Sequence, residues 1–186
     1  MNSLSKFTLL FLVITASFII TSCDKVAELF KADIKFSDTI SFVIPQGLEI
    51  TSIDTSETVM FNVDSFIQAS TNNNANLSNL KSAKLKSAIL EMKGSSSQDF
   101  RLFKRVEVSV KSSNNPSAYS LSVNNLMNDT KVLNIPIKPN DDLKSYFNAT
   151  SFTYRLIADI KSDTPDTIEQ DIPCDLVIEY TLSVQK

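Results

Sequence analysis

Two cysteines, Cys23 and Cys174, and two groups of carboxylates are the residues of this 186-residue chain whose chemistry could do more than build a fold. Asp163, Asp166, Glu169, Asp171 and Asp175 crowd one stretch, and Asp141 and Asp142 are adjacent in another. Loop carboxylates can collect the oxygen ligands of Ca2+ or serve as the acid and base of a glycosidase. The spacing fits no EF-hand loop, and a chain without tryptophan lacks the strongest sugar-stacking side chain. The expectation is a solvated acidic surface and no metal site. Cys174 could be a nucleophile or a redox thiol. It falls on the apolar parity of its segment, and the chain has no histidine to activate it, so it reads as a small buried hydrophobe.

The missing residue types narrow the chemistry further. Without histidine there is no usual general base for a Ser or Cys hydrolase and no common zinc or copper ligand. The two glycines, Gly47 and Gly94, cannot build a glycine-rich phosphate loop. No cofactor and no enzymatic activity are expected. Asp38-Thr39-Ile40 and Asp166-Thr167-Ile168 resemble a bacterial O-glycosylation sequon of Asp, Ser or Thr, then an apolar residue, which makes Thr39 and Thr167 candidate modification sites. Asn76, Asn128 and Asn148 match the Asn-x-Ser/Thr pattern.

The most directive segment is the N-terminus. Lys6 precedes an uncharged, mostly apolar run from Phe7 to Ile20, and Ile20-Thr21-Ser22-Cys23 follows. The run is short for a bilayer-spanning helix and suits the apolar region of a signal peptide. Its ending resembles a bacterial lipobox, with Ile20 and Thr21 departing from the usual residues. That resemblance implies cleavage before Cys23 and thioether lipidation of its sulfur, and thus a signal peptide over residues 1–22, a lipidated tether over 23–32 and a β domain over 33–186. The expected address is the cell envelope, anchored in the outer rather than the inner membrane through the lipid on Cys23. Asp24 beside the cysteine is an inner-membrane retention signal only in some bacteria. With Cys23 consumed by lipid, Cys174 has no partner for an intramolecular disulfide. Cleavage removes Lys6 and no acid, shifting the net charge from −3 to −4. Such a balance gives no electrostatic footprint for nucleic acid.

The remaining 164 residues suit one domain with a real core. Ile34, Phe36, Ile40, Phe42 and Ile44 share one parity, as a half-buried strand requires. Shorter strands are expected around Leu48–Ile53 and Val59–Val63, then a short helix capped by Asp64 or Ser65. Residues 77–93 fit a helical face through Leu77, Leu80, Leu85, Ala88, Ile89 and Met92. They also fit a strand from Lys84 to Lys93 with Ala88, Leu90 and Met92 inward. The need for an antiparallel partner to Val106–Val110 favours the strand. Further strands are expected around Tyr119–Val123, Leu133–Ile137 and Phe152–Ile160, and a short helix over Asp141–Phe147. The last strand keeps parity from Ile168 through Ile172, Cys174, Leu176, Ile178, Tyr180, Leu182 and Val184, with Pro173 marking an edge or a bend.

About seven to nine short strands with frequent turns predict an immunoglobulin-like antiparallel β-sandwich with two short helical crossings. The closing strand resembles that of immunoglobulin-like domains, without their Cys…Trp…Cys pattern. In Leu80–Met92, Phe100–Val110, Leu133–Ile137 and Phe152–Ile160 the layout is similar to small bacterial lipoproteins of unknown function. The expected role is a non-enzymatic envelope lipoprotein, an interaction or accessory module with an envelope protein partner at the membrane surface. The alternatives are a module binding lipid or glycan and, third, a carboxylate-dependent hydrolase.

Overall fold

The computed structural model describes residues 31–47, 51–94, 98–124, 126–127, 129–161, 168 and 170–185. Cys23, Asn128 and Thr167 lie outside them, as does most of the carboxylate stretch at 163–169. The fold is mainly β, as expected: two four-stranded antiparallel sheets packed face to face. The first orders β1 (Lys31–Ile44), β8 (Ile172–Gln185), β3 (Leu80–Met92) and β6 (Val132–Asn134). The second orders β2 (Ser52–Met60), β7 (Ser151–Ile160), β4 (Phe103–Ser112) and β5 (Asn115–Asn124). Only β4 and β5 are joined within one sheet; every other connection crosses to the opposite one. Eight strands ordered 1-8-3-6 and 2-7-4-5 are the jelly-roll winding of a sandwich.

Parity explains the core. In β8 the residues Ile172, Cys174, Leu176, Ile178, Tyr180, Leu182 and Val184 are all buried and meet the inward residues of β4 and β7, among them Val106, Val108, Tyr154 and Leu156. β8 is paired on both sides, with β1 from Lys31↔Gln185 to Ile44↔Ile172 and with β3 from Leu80↔Val184 to Met92↔Cys174. Pro173 therefore lies in a central strand, not at an edge. It is tolerated because its carbonyl accepts from the Lys93 N–H at 2.7 Å, just past the end of β3, so the missing donor falls on the last rung.

Residues 80–92 are a strand, as favoured, and its register shows why a helix competed. Shifts between Leu80 and Ser82 and between Leu85 and Ser87 insert extra residues. Buried positions become Leu80, Ala83, Leu85, Ala88, Leu90 and Met92, so bulges break the two-residue spacing into steps that mimic a helix. Of the strands expected at 48–53 and 59–63, residues 48–50 lie outside the described residues, and Ser52–Met60 form the single edge strand β2. Val63 instead opens helix α1 (Val63–Ser70), whose N-cap is Asn62, not Asp64 or Ser65. Asn62 Oδ1 accepts from the Ser65 N–H at 2.9 Å, while Asp64 accepts from the Leu77 N–H and Gln68 Nε2, each at 2.7 Å. β6 is shorter than Leu133–Ile137, because Pro136 has no N–H to extend the ladder. Helix α2 (Lys144–Phe147) is the second crossing. β1 begins at Lys31, inside the stretch assigned to the tether.

This winding gives the sandwich two unlike ends. The start of β1, the end of β8, both helical crossings and the β4–β5 turn share one end, here the terminal end. The β1–β2, β3–β4, β5–β6 and β7–β8 connections share the other, the distal end.

Candidate functional site

At the terminal end an aromatic cluster locks the crossings to the sheets. Phe36 of β1 stacks on Phe61 with centroids 4.5 Å apart and meets Phe66 of α1 at 5.3 Å, Phe147 of α2 at 6.1 Å and Tyr180 of β8 at 5.8 Å. Asp142 adds a polar clamp, accepting from the Ala83 N–H at 2.9 Å and the Lys144 N–H at 3.0 Å. A recess of about 900 Å³ opens beside this clamp, lined by Leu77, Ser78, Leu80, Asn114, Lys144 and Ser145 among others. Several of its polar groups are held in internal hydrogen bonds: Ser145 Oγ accepts from Asn115 Nδ2 at 3.0 Å, Ser78 Oγ donates to Asn76 Oδ1 at 2.6 Å, and Asn114 Nδ2 donates to the Asn148 carbonyl. The crevice between the sheets, among Leu85, Val108, Leu121, Ile178 and Tyr180, holds about 10 Å³, room for a single water at most.

The outer face of the first sheet is divided by charge. Toward the terminal end it carries Lys31 and Lys35 of β1 and Lys81, Lys84 and Lys86 of β3, all exposed, with Asp33 the acid among them. Lys31, Lys81, Lys84 and Lys86 flank a shallow concavity of about 430 Å³, floored by Ser82, Thr181 and Ser183. Toward the distal end the same face carries Glu179, Asp175 and Glu91, with Lys93 bonded to Glu91 at 2.7 Å. On the second sheet Lys104 and Lys111 are likewise exposed without an ion pair among the described residues, but the arginines are paired. Arg105 pairs with Glu107 and Asp159, and Arg155 with Asp54, an arrangement that holds the Asp54 carboxyl below the usual range. The five lysines of the first sheet make no ion pair with another described residue.

The residues singled out in sequence do not converge. Thr39 is exposed in the middle of β1, opposite Val177, on an edge strand rather than in a loop. Asp171 Oδ1 accepts from the Gln46 N–H at 2.8 Å, and Asp175 Oδ1 from Ser41 Oγ at 2.7 Å. Among the described residues no three Asp, Glu, Cys or His side chains gather in a way that could hold a metal ion. Asn76 caps a 3-10 turn over Leu77–Asn79 by accepting from the Ser78 N–H at 3.0 Å. Two features were missed in sequence. Asp38 is the inward-facing acid of β1, beside the buried phenols of Tyr154 and Tyr180, whose ionisation burial opposes most and this carboxylate further. A charge turned inward on a free edge strand discourages pairing with another chain. The lysine face was missed because its members come from strands far apart in sequence, although all five stand on outward positions.

Cys174 is fully buried, with Sγ 3.7 Å from the Ile172 carbonyl. Burial, with a smaller push from Asp175, raises its thiol to about 12. An unfolded thiol ionises near 9, so stability should hold up to about pH 9 and fall from there toward pH 12, as the unfolded state loses a proton the folded state keeps. The buried Tyr154 and Tyr180 phenols, also raised, add to the loss above about pH 10. Cys174→Ala should cost about 1–2 kcal/mol at neutral pH and flatten the decline between about pH 9 and 10. Urea midpoints across pH, with thiol-reagent labelling of the native protein, check this. Rapid labelling in the folded state would contradict burial.

No protein-family model matches the chain, and no curated protein matches it in sequence. Solved structures show a distant likeness. A protein from Eubacterium rectale, provisionally described as secreted, is 9% identical with a TM-score of 0.44 over 82% of this chain, which spans 39% of that one. A chain of Desmodium yellow mottle tymovirus is 10% identical with a TM-score of 0.28, covering 83% of this chain and 90% of its own. TmCBM61, solved with β-1,4-galactotriose, is 6% identical with a TM-score of 0.33, covering 84% of this chain and 88% of its own. Likenesses this distant carry nothing about activity, ligand or partner. No helix among the described residues is long and apolar enough to cross a membrane.

Proposed function

We propose that the chain is a non-enzymatic, lipid-anchored envelope module that holds its sandwich close to a membrane and offers its distal end to a protein partner. The observation that carries this reading is where the chain joins the fold. β1 starts at Lys31, at the terminal end, so the span from Cys23 reaches at most about 30 Å even when fully extended. The distal connections then face away from the bilayer. Three exposed apolar side chains sit toward that end: Val43 at 50%, Met127 at 79% and Val132 at 42% of their full exposure. Aliphatic surface at the far end of a short tether suits a protein contact better than a solvent-facing terminus.

A photo-crosslinking side chain placed at Met127 should yield a defined protein adduct in intact envelope, while one at exposed Met60, at the terminal end, should not. Cys23→Ala should release the domain from the membrane fraction or leave an uncleaved precursor. Adducts from Met60 alone, or normal maturation and membrane association of the Cys23→Ala chain, would overturn the proposal.

The second reading, a lipid- or glycan-binding module, is favoured by the 900 Å³ recess beside Asp142 and Ser145. Several groups of its polar lining are tied up in internal hydrogen bonds, so the partner-binding reading stands first.

A further inference from the structure

We infer that the lysine-rich half of the first sheet is a second membrane contact, a footprint for the phosphate-bearing headgroups of an anionic lipid surface. The inference rests on the anchored reading for where the membrane lies, and on the structure for everything else. Lys31, Lys35, Lys81, Lys84 and Lys86 project from one face, with Asp33 as the acid among them. Asp33 accepts from Ser183 Oγ at 2.6 Å and so is turned to a hydroxyl rather than a lysine.

Three observations point this face at a lipid surface. The chain as a whole is acidic, at −3, so a half-face with five lysines and one acid runs against its average. Its five lysines gather on one half-face without ion partners among the described residues, whereas on the second sheet the arginines are paired and the unpaired Lys104 and Lys111 stand at opposite ends of β4. The patch also begins at Lys31, the residue where the tether meets the fold. Charges act strongly only within about 8 Å of an anionic surface at physiological salt, so a basic patch remote from the tether would gain little. Here the tether delivers it. On the shallow floor the Ser82 and Thr181 hydroxyls suit phosphate oxygens, which accept from hydroxyl and ammonium groups alike, while the Ser183 hydroxyl is given to Asp33.

The consequence is orientation. The lipid on Cys23 sets attachment but leaves the domain free to turn about its tether, and a polybasic patch adds a second contact that fixes which face meets the bilayer. With the patch engaged, the first sheet tilts its terminal half onto the bilayer, and the acidic distal half of the same face is repelled from it. That lifts the distal connections away from the membrane.

The test uses the mature chain, residues 23–186, which contains every described residue, with Cys23→Ser so that no lipid contributes. Its partition onto phosphatidylcholine vesicles containing phosphatidylglycerol should exceed that onto pure phosphatidylcholine by about tenfold or more, given roughly fivefold per lysine near an anionic surface. Reversing Lys81→Glu and Lys84→Glu should remove most of the difference. Reversing Lys104→Glu and Lys111→Glu, exposed on the second sheet, changes net charge equally and should cost less than about threefold. All four positions are exposed, and circular dichroism checks that each variant folds. Equal partition onto the two vesicle types, or equal loss in the two variants, would overturn the footprint. Displacement by millimolar inorganic phosphate would mark a discrete anion pocket and overturn the surface reading. Because no lipid is attached, failure here leaves the anchor standing, and failure of the anchor leaves this measurement intact.

Discussion

Leu176→Lys, Ile178→Lys and Tyr180→Lys should each unfold the domain or nearly so, while Glu179→Lys should cost less than about 1 kcal/mol. The three targets are 0%, 5% and 3% exposed, on successive inward positions of β8. β8 is the central strand, paired with β1 on one side and β3 on the other, so a buried ammonium there has no sheet edge from which to reach water. An unpaired buried charge costs several kcal/mol against a total stability of about 5–15. Glu179 faces outward and accepts from Ser87 Oγ at 2.9 Å, an exposed bond whose loss is small. Thermal unfolding followed by circular dichroism distinguishes the two outcomes. A helix through this segment would group 174, 178 and 182 and leave 176 and 180 opposite, so a silent Leu176→Lys would contradict the strand and the sandwich with it.

Phe36→Ala should be the most damaging neutral truncation at the terminal end, costing about 3–5 kcal/mol. The ring is 7% exposed and touches four others from β1's neighbours and both helical crossings. Its loss removes the ring contacts of Phe61, Phe66, Phe147 and Tyr180 together. Aromatic pairs are worth about 0.5–1.5 kcal/mol each beyond the area they bury, so a cluster hub loses more than a phenylalanine in an aliphatic setting. At roughly 2–4 °C per kcal/mol for a domain of this size, the melting temperature should fall by about 10 °C. Val43→Ala, on the same strand but half exposed, should change stability by no more than about 0.5 kcal/mol. A Phe36→Ala midpoint within about 1 kcal/mol of the parent would show that the crossings are held by other contacts.

The legible strands share one property: strict two-residue alternation with no inserted residue. β7 and β8 keep it because the extra residues at the register shifts opposite them belong to β4 and β3, so Phe152–Ile160 and Ile172–Val184 could be read directly. β3 is harder because two bulges re-phase its buried face, and a re-phased strand resembles a helix to any periodicity argument. β2 is an edge strand with Ile53 as its fully buried residue, so its alternation is too weak to set its limits. Asp38 interrupts the apolar parity of β1 for a reason visible only when Tyr154 and Tyr180 are brought beside it. The lysine face escaped for a similar reason. Lys31 and Lys81 belong to one patch only because β8, from the end of the chain, lies between their strands. Cys23 is the reverse case: its chemistry is written wholly in the local sequence, and it lies outside the described residues.

Lipid attachment at Cys23 is the claim on which the membrane reading depends, and the mass of the N-terminal peptide of the protein purified from membranes tests it most directly. The account predicts that this peptide begins at Cys23 and carries a thioether-linked diacylglycerol, with residues 1–22 absent. A peptide beginning at Cys23 with a free thiol, or a chain retaining residues before Cys23, would contradict it.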